Sequence, residues 1–234
     1  MTSARVSVVI PVHNGERYLA AAIESALAPR PFEVIVADDG STDSSVGLAQ
    51  GYGAPVRVLR HQRRTGIAAT RNRGVAASRG DHVAFLDADD MWTADALTSQ
   101  LAAFAADPGL ELVFGYMQQF VSPDLDEASA STLRCYPSLK PGYMVGALLI
   151  DRDALRRVGP FREDLVTGDF MDWMVRAREL GVRETLVPEH VLWRRIHSSN
   201  HGLRHADARG DYARVLKSAL DRRRAAAESR PEGG

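Results

Sequence analysis

The strongest constraint on the fold is a series of short, nearly continuous apolar runs that alternate with helical patterns over residues 6–92, each ending on polar residues. Val6-Ser-Val-Val-Ile10 is β-branched and unbroken, as a strand covered on both faces must be, and it stops at Pro11. Asn14-Gly15 follows as an N-cap candidate, and Tyr18, Leu19, Ala22, Ile23, Ala26 and Leu27 recur at helical spacing before Pro29. Glu33–Ala37 reads as a second strand, Ser41-Thr-Asp43 as the start of a helix running toward Gly51, and Val56–Leu59 as a third strand. Gly66–Ala77 reads as a small-residue helix and His82–Leu86 as a fourth strand. Such alternation predicts a mostly parallel α/β sheet sandwiched by helices, whose ligands bind beyond the carboxyl ends of the strands. Those ends carry Pro11-Val-His-Asn14, Asp38-Asp39-Gly40-Ser41 and Asp87-Ala-Asp89-Asp90, so three polar loops converge on one rim.

Beyond residue 92 the pattern changes. Thr93–Ala106 predicts a helix, Leu110–Tyr116 a strand, and the Ser-, Pro- and acid-rich stretch Phe120–Pro141 a long mobile loop. Tyr143–Ile150 reads as a strand, Asp153–Val158 as a helix stopped by Gly159-Pro160, Asp169–Leu180 as a helix stopped by Gly181, and Val191–Ile196 as the last strand. The expected organisation is one domain over 1–204, divided into halves at 1–92 and 93–204. A basic amphipathic helix over 205–224, with Tyr212, Val215, Leu216, Ala219 and Leu220 inward, and a disordered tail at 225–234 complete it. The helix is expected to pack on the domain, with a membrane-surface or dimer contact as the alternative.

Composition narrows the class. Of the 234 residues, 45% are hydrophobic and 25% charged, which suits a buried core, and a net charge of −1 gives no footprint for nucleic acid. The one cysteine, Cys135, excludes an intramolecular disulfide. No apolar run approaches the roughly 18–20 residues that span a bilayer, and the first strand begins too early for a signal peptide. The expected location is cytoplasmic.

The chemistry sits on the rim. Strand alternation sends Asp87 and Asp89 to one side, where neighbouring carboxylates repel unless a cation lies between them. Oxygen ligands together with substrate phosphates are the usual way Mg²⁺ or Mn²⁺ is held. Singly, each feature has a plainer explanation: an acidic turn before Thr93, a capping turn at Asp38-Asp39, surface charge at Arg71-Asn72. Together, at these spacings, they do not.

Val8-Val-Ile-Pro11-Val-His-Asn14, Val34-Ile-Val-Ala-Asp38-Asp39-Gly-Ser-Thr-Asp43, Gly66-Ile-Ala-Ala-Thr-Arg71-Asn72-Arg-Gly74 and Phe85-Leu-Asp87-Ala-Asp89-Asp90-Met-Trp92 closely resemble the family 2 glycosyltransferases of A-type fold. A weaker match runs from Gly146 to Gly181 and includes Arg156-Arg-Val-Gly159-Pro-Phe161. The resemblance implies an inverting, non-processive transfer from a nucleotide-diphosphate sugar, a UDP-sugar by expectation, onto an acceptor hydroxyl with Mn²⁺ or Mg²⁺. It implies that Pro11 and Val12 line the base and ribose, that Asp39 accepts a hydrogen bond from uracil, and that Arg71 closes over the base. Asp87 is expected at the ribose and Asp89 on the metal, while Asn14, Ala88 and Arg195 join the donor-contacting set. In Trp193-Arg194-Arg195-Ile-His197-Ser-Ser-Asn200 the late His197 resembles a second metal ligand. Strand alternation would put Arg195 with His197 on one side and Arg194 on the other. The Gln-x-x-Arg-Trp signature of processive members is absent, which favours a single transfer.

The pattern departs from the family at one place. Members usually carry Glu-Asp at the start of the helix facing the acceptor, whereas this chain has Gly168-Asp169-Phe170-Met171-Asp172-Trp173. Asp169 and Asp172 are therefore the candidates for the catalytic base, three residues apart and on nearly the same helix face. Two rivals remain in view. One is a sugar nucleotidyltransferase, which would carry a Gly-rich basic loop after the first strand; the other is a binding module that kept the donor site and lost the base.

Overall fold

The computed structural model describes residues 4–200 and 210–228. The strands are β1 (Val6–Val12), β2 (Glu33–Asp38), β3 (Val56–Arg60), β4 (His82–Phe85), β5 (Met91–Trp92), β6 (Leu112–Val121), β7 (Lys140–Pro141), β8 (Leu148–Asp151) and β9 (Glu184–Ile196). The helices are α1 (Leu19–Leu27), α2 (Ser45–Gly51), α3 (Ile67–Ala77), α4 (Ala96–Ala106), α5 (Glu127–Ser131), α6 (Arg152–Val158), α7 (Asp169–Glu179) and α8 (Gly210–Glu228). The strands form one sheet in the order β3-β2-β1-β4-β8-β6-β9-β5, with β7 beside β6.

β1 and β2 are buried along their whole length, which is why their sequences are β-branched without alternation. Period-two geometry then divides their side chains between two cores. Val8, Ile10, Val34 and Val36 pack with Leu19, Ile23 and Leu97 on one face, whereas Val9, Val83, Phe85 and Trp173 meet on the other. α3 approaches β1 so closely that a Cβ on Gly74 would lie 2.3 Å from Val9 Cγ1, so only glycine fits there. The longest registers are parallel: β1 with β2, β1 with β4, β2 with β3, and β6 with β9. β8 enters antiparallel between β4 and β6. The strand order reverses at β1, with β2 and β3 on one side and β4 on the other, and this places a crevice at the carboxyl ends of β1, β2 and β4.

Several boundaries differ from the sequence-based expectations. Asn14 does not cap α1, which begins at Leu19; its side-chain oxygen accepts instead from Thr42 N at 2.8 Å. β9 begins at Glu184, seven residues before Val191, because parallel pairing with β6 through a bulge near Tyr116 overrides the weak local pattern around Pro188-Glu189. The same pairing carries β6 on to Val121, and the stretch expected as a loop from Phe120 also holds α5, capped by Asp126, and β7. Of the Tyr143–Ile150 strand, Val145–Ala147 is a 3-10 turn. α4 starts at Ala96, after Thr93 N and Oγ1 have bonded to the carbonyls of Val191 and His190. α8 packs on α7 with Val215 and Ala219 buried, but Leu216 and Leu220 face outward and not inward, and Tyr212 is only partly inward, half-exposed with one edge of its ring against Gly168. Residues 225–228, expected in the tail, continue α8; the expectations for 205–209 and 229–234 lie outside the described residues.

Candidate active site

The loops that follow β1, β2 and β3 are stitched together by side chain-to-backbone bonds. Asn14 N donates to Ser41 Oγ and Gly15 N to Ser45 Oγ, each at 2.9 Å, and His13 Nδ1 lies 2.9 Å from the Asp39 carbonyl. Asp38 is fully buried and closes the turn by accepting from Ser41 N. Asp39 accepts from Thr65 N at 2.6 Å, Thr65 Oγ1 at 2.8 Å and Gly66 N at 2.9 Å. Asp39 thus reaches the cleft already anchoring the loop that enters α3.

That cleft holds about 710 Å³ and is bounded by Pro11, Val12, Asn14, Asp39, Asp87, Ala88, Asp89 and His197 among others. These sequence-predicted residues converge on one cavity. Arg71 and Arg195 take other places. Arg71 is only 4% exposed and forks between Asp87 Oδ1 at 2.9 Å and Asp169 Oδ2 at 2.8 Å, so it is not free to fold over a base. Burial alone would lower its pKa, and the charges of Asp87 and Asp169 outweigh that and raise it, which keeps the guanidinium charged. Arg195 is also buried. Its backbone N–H donates to Asp90 Oδ1, its Nε to the Asp89 carbonyl and its Nη1 to Ser122 Oγ, with the guanidinium over the rings of Tyr18 and Phe120. It braces the aspartate loop from behind, while Arg194 lines the cleft. The side assignment from strand alternation fails here because β9 ends at Ile196. His197 then turns back through bonds with Asn200, His197 N to Asn200 Oδ1 at 2.7 Å and Asn200 N to the His197 carbonyl at 3.2 Å.

The Asp89 carboxylate faces His197 Nε2 at 2.9 Å and Asn200 Nδ2 at 3.1 Å, all through Oδ2. Among the described residues no group of three or more His, Cys, Asp or Glu could hold a metal by itself. Asp89 and His197 supply two ligands suited to a divalent cation, and a bound diphosphate would supply further oxygens. The imidazole is oriented for this use: its Nδ1 accepts from Ser199 N at 3.3 Å with Ser199 Oγ at 2.7 Å, so Nε2 directs its proton to Asp89 Oδ2, and a cation held between the two would take that proton's place. Behind them Asp90 is buried, and burial followed by the charges of Asp89 and Asp87 pushes its carboxyl well above the usual range. A carboxylate cluster crowded this way is the electrostatic setting in which a cation is favoured.

The two base candidates separate cleanly. Asp172 is 0% exposed and held by Arg176 at 2.8 Å, Arg162 at 3.6 Å and Arg222 at 3.9 Å, so it ties α7 to its neighbours and cannot meet a substrate. Asp169 opens α7 directly after Gly168, whose φ of 80° turns the chain into the helix. Its Oδ2 accepts from Arg71, and its Oδ1 has no hydrogen bond among the described residues. Motif reading missed Glu163, a cleft-lining carboxylate hydrogen-bonded to Asn72, and the cleft arginines Arg17, Arg64 and Arg194. The Arg63-Arg64 pair ahead of Gly66 was the available signal for one of them.

Comparison with known proteins agrees with this architecture. The Glycosyl transferase family 2 model matches residues 7–144. The pre-mycofactocin glycosyltransferase of Mycobacterium tuberculosis (strain H37Rv) is 34% identical over 198 residues, covering 76% of this chain and 40% of that protein. The putative glycosyltransferase EpsH of Bacillus subtilis (strain 168) is 30% identical over 143 residues, covering 58% of this chain and 41% of its own. The chain therefore spans about two fifths of the length of these curated relatives. Among solved structures, S. aureus TarS 1–349 in complex with UDP-GlcNAc superposes with a TM-score of 0.66 at 20% identity, over 84% of this chain and 60% of that one. With most of its length matched by the family model, the chain belongs to glycosyl transferase family 2.

Proposed function

We propose that the chain transfers a sugar from a UDP-sugar to an acceptor hydroxyl, in one displacement that inverts the anomeric carbon. The observation that carries this is the convergence on one cleft of the Asp39-anchored loop, Asp87 and the Asp89–His197 pair; Asp169 does not line that cleft and is linked to it through the fork of Arg71 onto Asp87. The likeness to a TarS fragment solved with UDP-GlcNAc supports a uridine donor of that kind. Pro11, Val12 and Asp39 would form the base end of the cleft, with Asp87 and Ala88 beneath the ribose and Arg64 and Arg194 available to the phosphates, while Arg17 is paired with Asp124. Asp89 and His197 would hold Mn²⁺ or Mg²⁺, which when bound offsets negative charge on the departing diphosphate.

The remaining work falls to the chain's own carboxylates. As the acceptor oxygen bonds to the anomeric carbon and the bond from that carbon to the UDP oxygen breaks, Asp169 Oδ1 takes the hydroxyl proton. Arg71 holds Asp169 in place through its other oxygen. A second reading places Glu163 as the base, because that carboxylate lines the cleft directly. UDP release from UDP-GlcNAc, to water or to an added acceptor, separates the two. Asp169→Asn is expected to lower turnover by about 10²–10⁴ with UDP binding retained, and Glu163→Gln to leave it near the starting value. The reverse pattern moves the base to Glu163, and undiminished turnover in both variants removes carboxylate catalysis from the scheme.

A further inference from the structure

α8 keeps only part of its apolar surface for the fold. Val215 and Ala219 are buried against the domain, whereas Tyr212, Leu216 and Leu220 are 46%, 63% and 43% exposed. They recur at intervals of four, which at 3.6 residues per turn forms one outward stripe two turns long. Large apolar side chains aligned in this way are not scattered surface residues; they mark a surface that meets something apolar.

The charges around the stripe indicate what. At about 100° per residue, Arg223 projects within the stripe and Arg224 and Lys217 along its open flank, while Asp221 and Glu228 fall farther round. Among the described residues Lys217 and Arg224 have no ion-pair partner and Arg223 has only a loose contact with Glu179 at 3.7 Å, so their charge is available to a partner. Long basic side chains beside exposed leucines and a tyrosine suit an interface that is apolar below and anionic at its edge.

The stripe also meets the cleft. Val166, a cleft-lining residue, and Thr167 donate their backbone N–H groups to Asp211, one residue before Tyr212. A Cβ on Gly168 would lie 3.4 Å from the Tyr212 ring, so that ring sits beside the entry to α7 and Asp169.

We propose that the Tyr212–Leu216–Leu220 face of α8 docks on an anionic lipid bilayer. On the transferase reading, this sets the acceptor side of the cleft against the lipid surface, so that the acceptor hydroxyl is presented from the membrane plane. The docking itself does not depend on that reading.

Vesicle flotation tests it. The chain is expected to float with phosphatidylglycerol-containing vesicles at low salt and to remain behind with phosphatidylcholine alone or at high salt. Leu216→Asp should abolish flotation, and Lys217→Glu/Arg224→Glu should weaken it by roughly an order of magnitude or more. Both variants should keep the wild-type melting temperature and UDP response, since none of the three side chains is buried. Failure of the wild type to float with anionic vesicles overturns the proposal, as does equal flotation of Leu216→Asp. A wild-type dimer that Leu216→Asp converts to a monomer, without flotation, assigns the stripe to a second copy and overturns it as well. Loss of the UDP response in the wild type would count against the transferase reading alone.

Discussion

Arg71 joins the stability of the fold to the proposed chemistry in a single side chain. Its guanidinium is out of water, and only the two carboxylates it spans make that burial tolerable. Arg71→Met is expected to lower unfolding free energy by roughly 3–5 kcal/mol, the usual cost of leaving buried charge unpaired. Adding Asp169→Asn to that variant should recover part of the loss, since one of the two facing carboxylates is then neutral. Arg71→Lys keeps the charge but cannot bond both carboxylates in a fork, and should be intermediate. Urea titrations of the three proteins check the order, and full stability in Arg71→Met would contradict it. The motif Thr70-Arg71-Asn72 was legible as functional because it sits where the cleft forms, but its role was not. Whether an arginine meets a base or a carboxylate depends on α7, whose first turn lies 98 residues away in sequence. The same limit hid the difference between Asp169 and Asp172, which helical spacing alone places together and which their ion-pair partners separate.

At the scale of elements, β1, β2 and β4 were readable because complete burial leaves an apolar run with few interpretations. β9 was not, because its first half draws its structure from β6 and not from its own residues. The close seat of α3 on β1 makes a prediction: Gly74→Ala should cost roughly 1–3 kcal/mol by overpacking, since Val9 has no room to yield in the core. Thermal unfolding of the variant tests this, and an unchanged midpoint would contradict it. A second test lies at the start of β2, where Glu33 is buried and receives Ser7 Oγ, Arg79 N and Arg57. Burial alone would raise its pKa, but hydrogen bonds from Ser7, Arg79 and Arg57 outweigh that and lower it below the ordinary 4.5. A depressed folded-state pKa contributes stability above the unfolded value, and that stability is lost as pH falls through the folded value. The stability gap between wild type and Glu33→Gln is therefore expected to be full near neutrality and to shrink as the pH drops below about 4.5. A gap that stays constant down to pH 3 would mean that Glu33 ionisation is not linked to folding.

For the whole molecule, the sheet gathers parts of the chain that are remote in sequence around one crevice. Asp39 ties the β2 loop to the entrance of α3, Arg71 ties α3 to α7, and Arg195 ties β9 to the aspartate loop. These links make the site a property of the assembled fold, and they explain why local motifs located the cleft while leaving its side-chain roles open. On the proposed reading this crevice binds a uridine diphosphate with a divalent cation held by Asp89 and His197. Calorimetric titration of UDP, GDP and dTDP with and without Mn²⁺ tests it most directly, using the wild type and Asp89→Ala. UDP is expected to bind more tightly than the other two, with Mn²⁺ strengthening its binding in the wild type and not in Asp89→Ala; equal affinity for all three nucleotides, or an identical Mn²⁺ response in the variant, would contradict it.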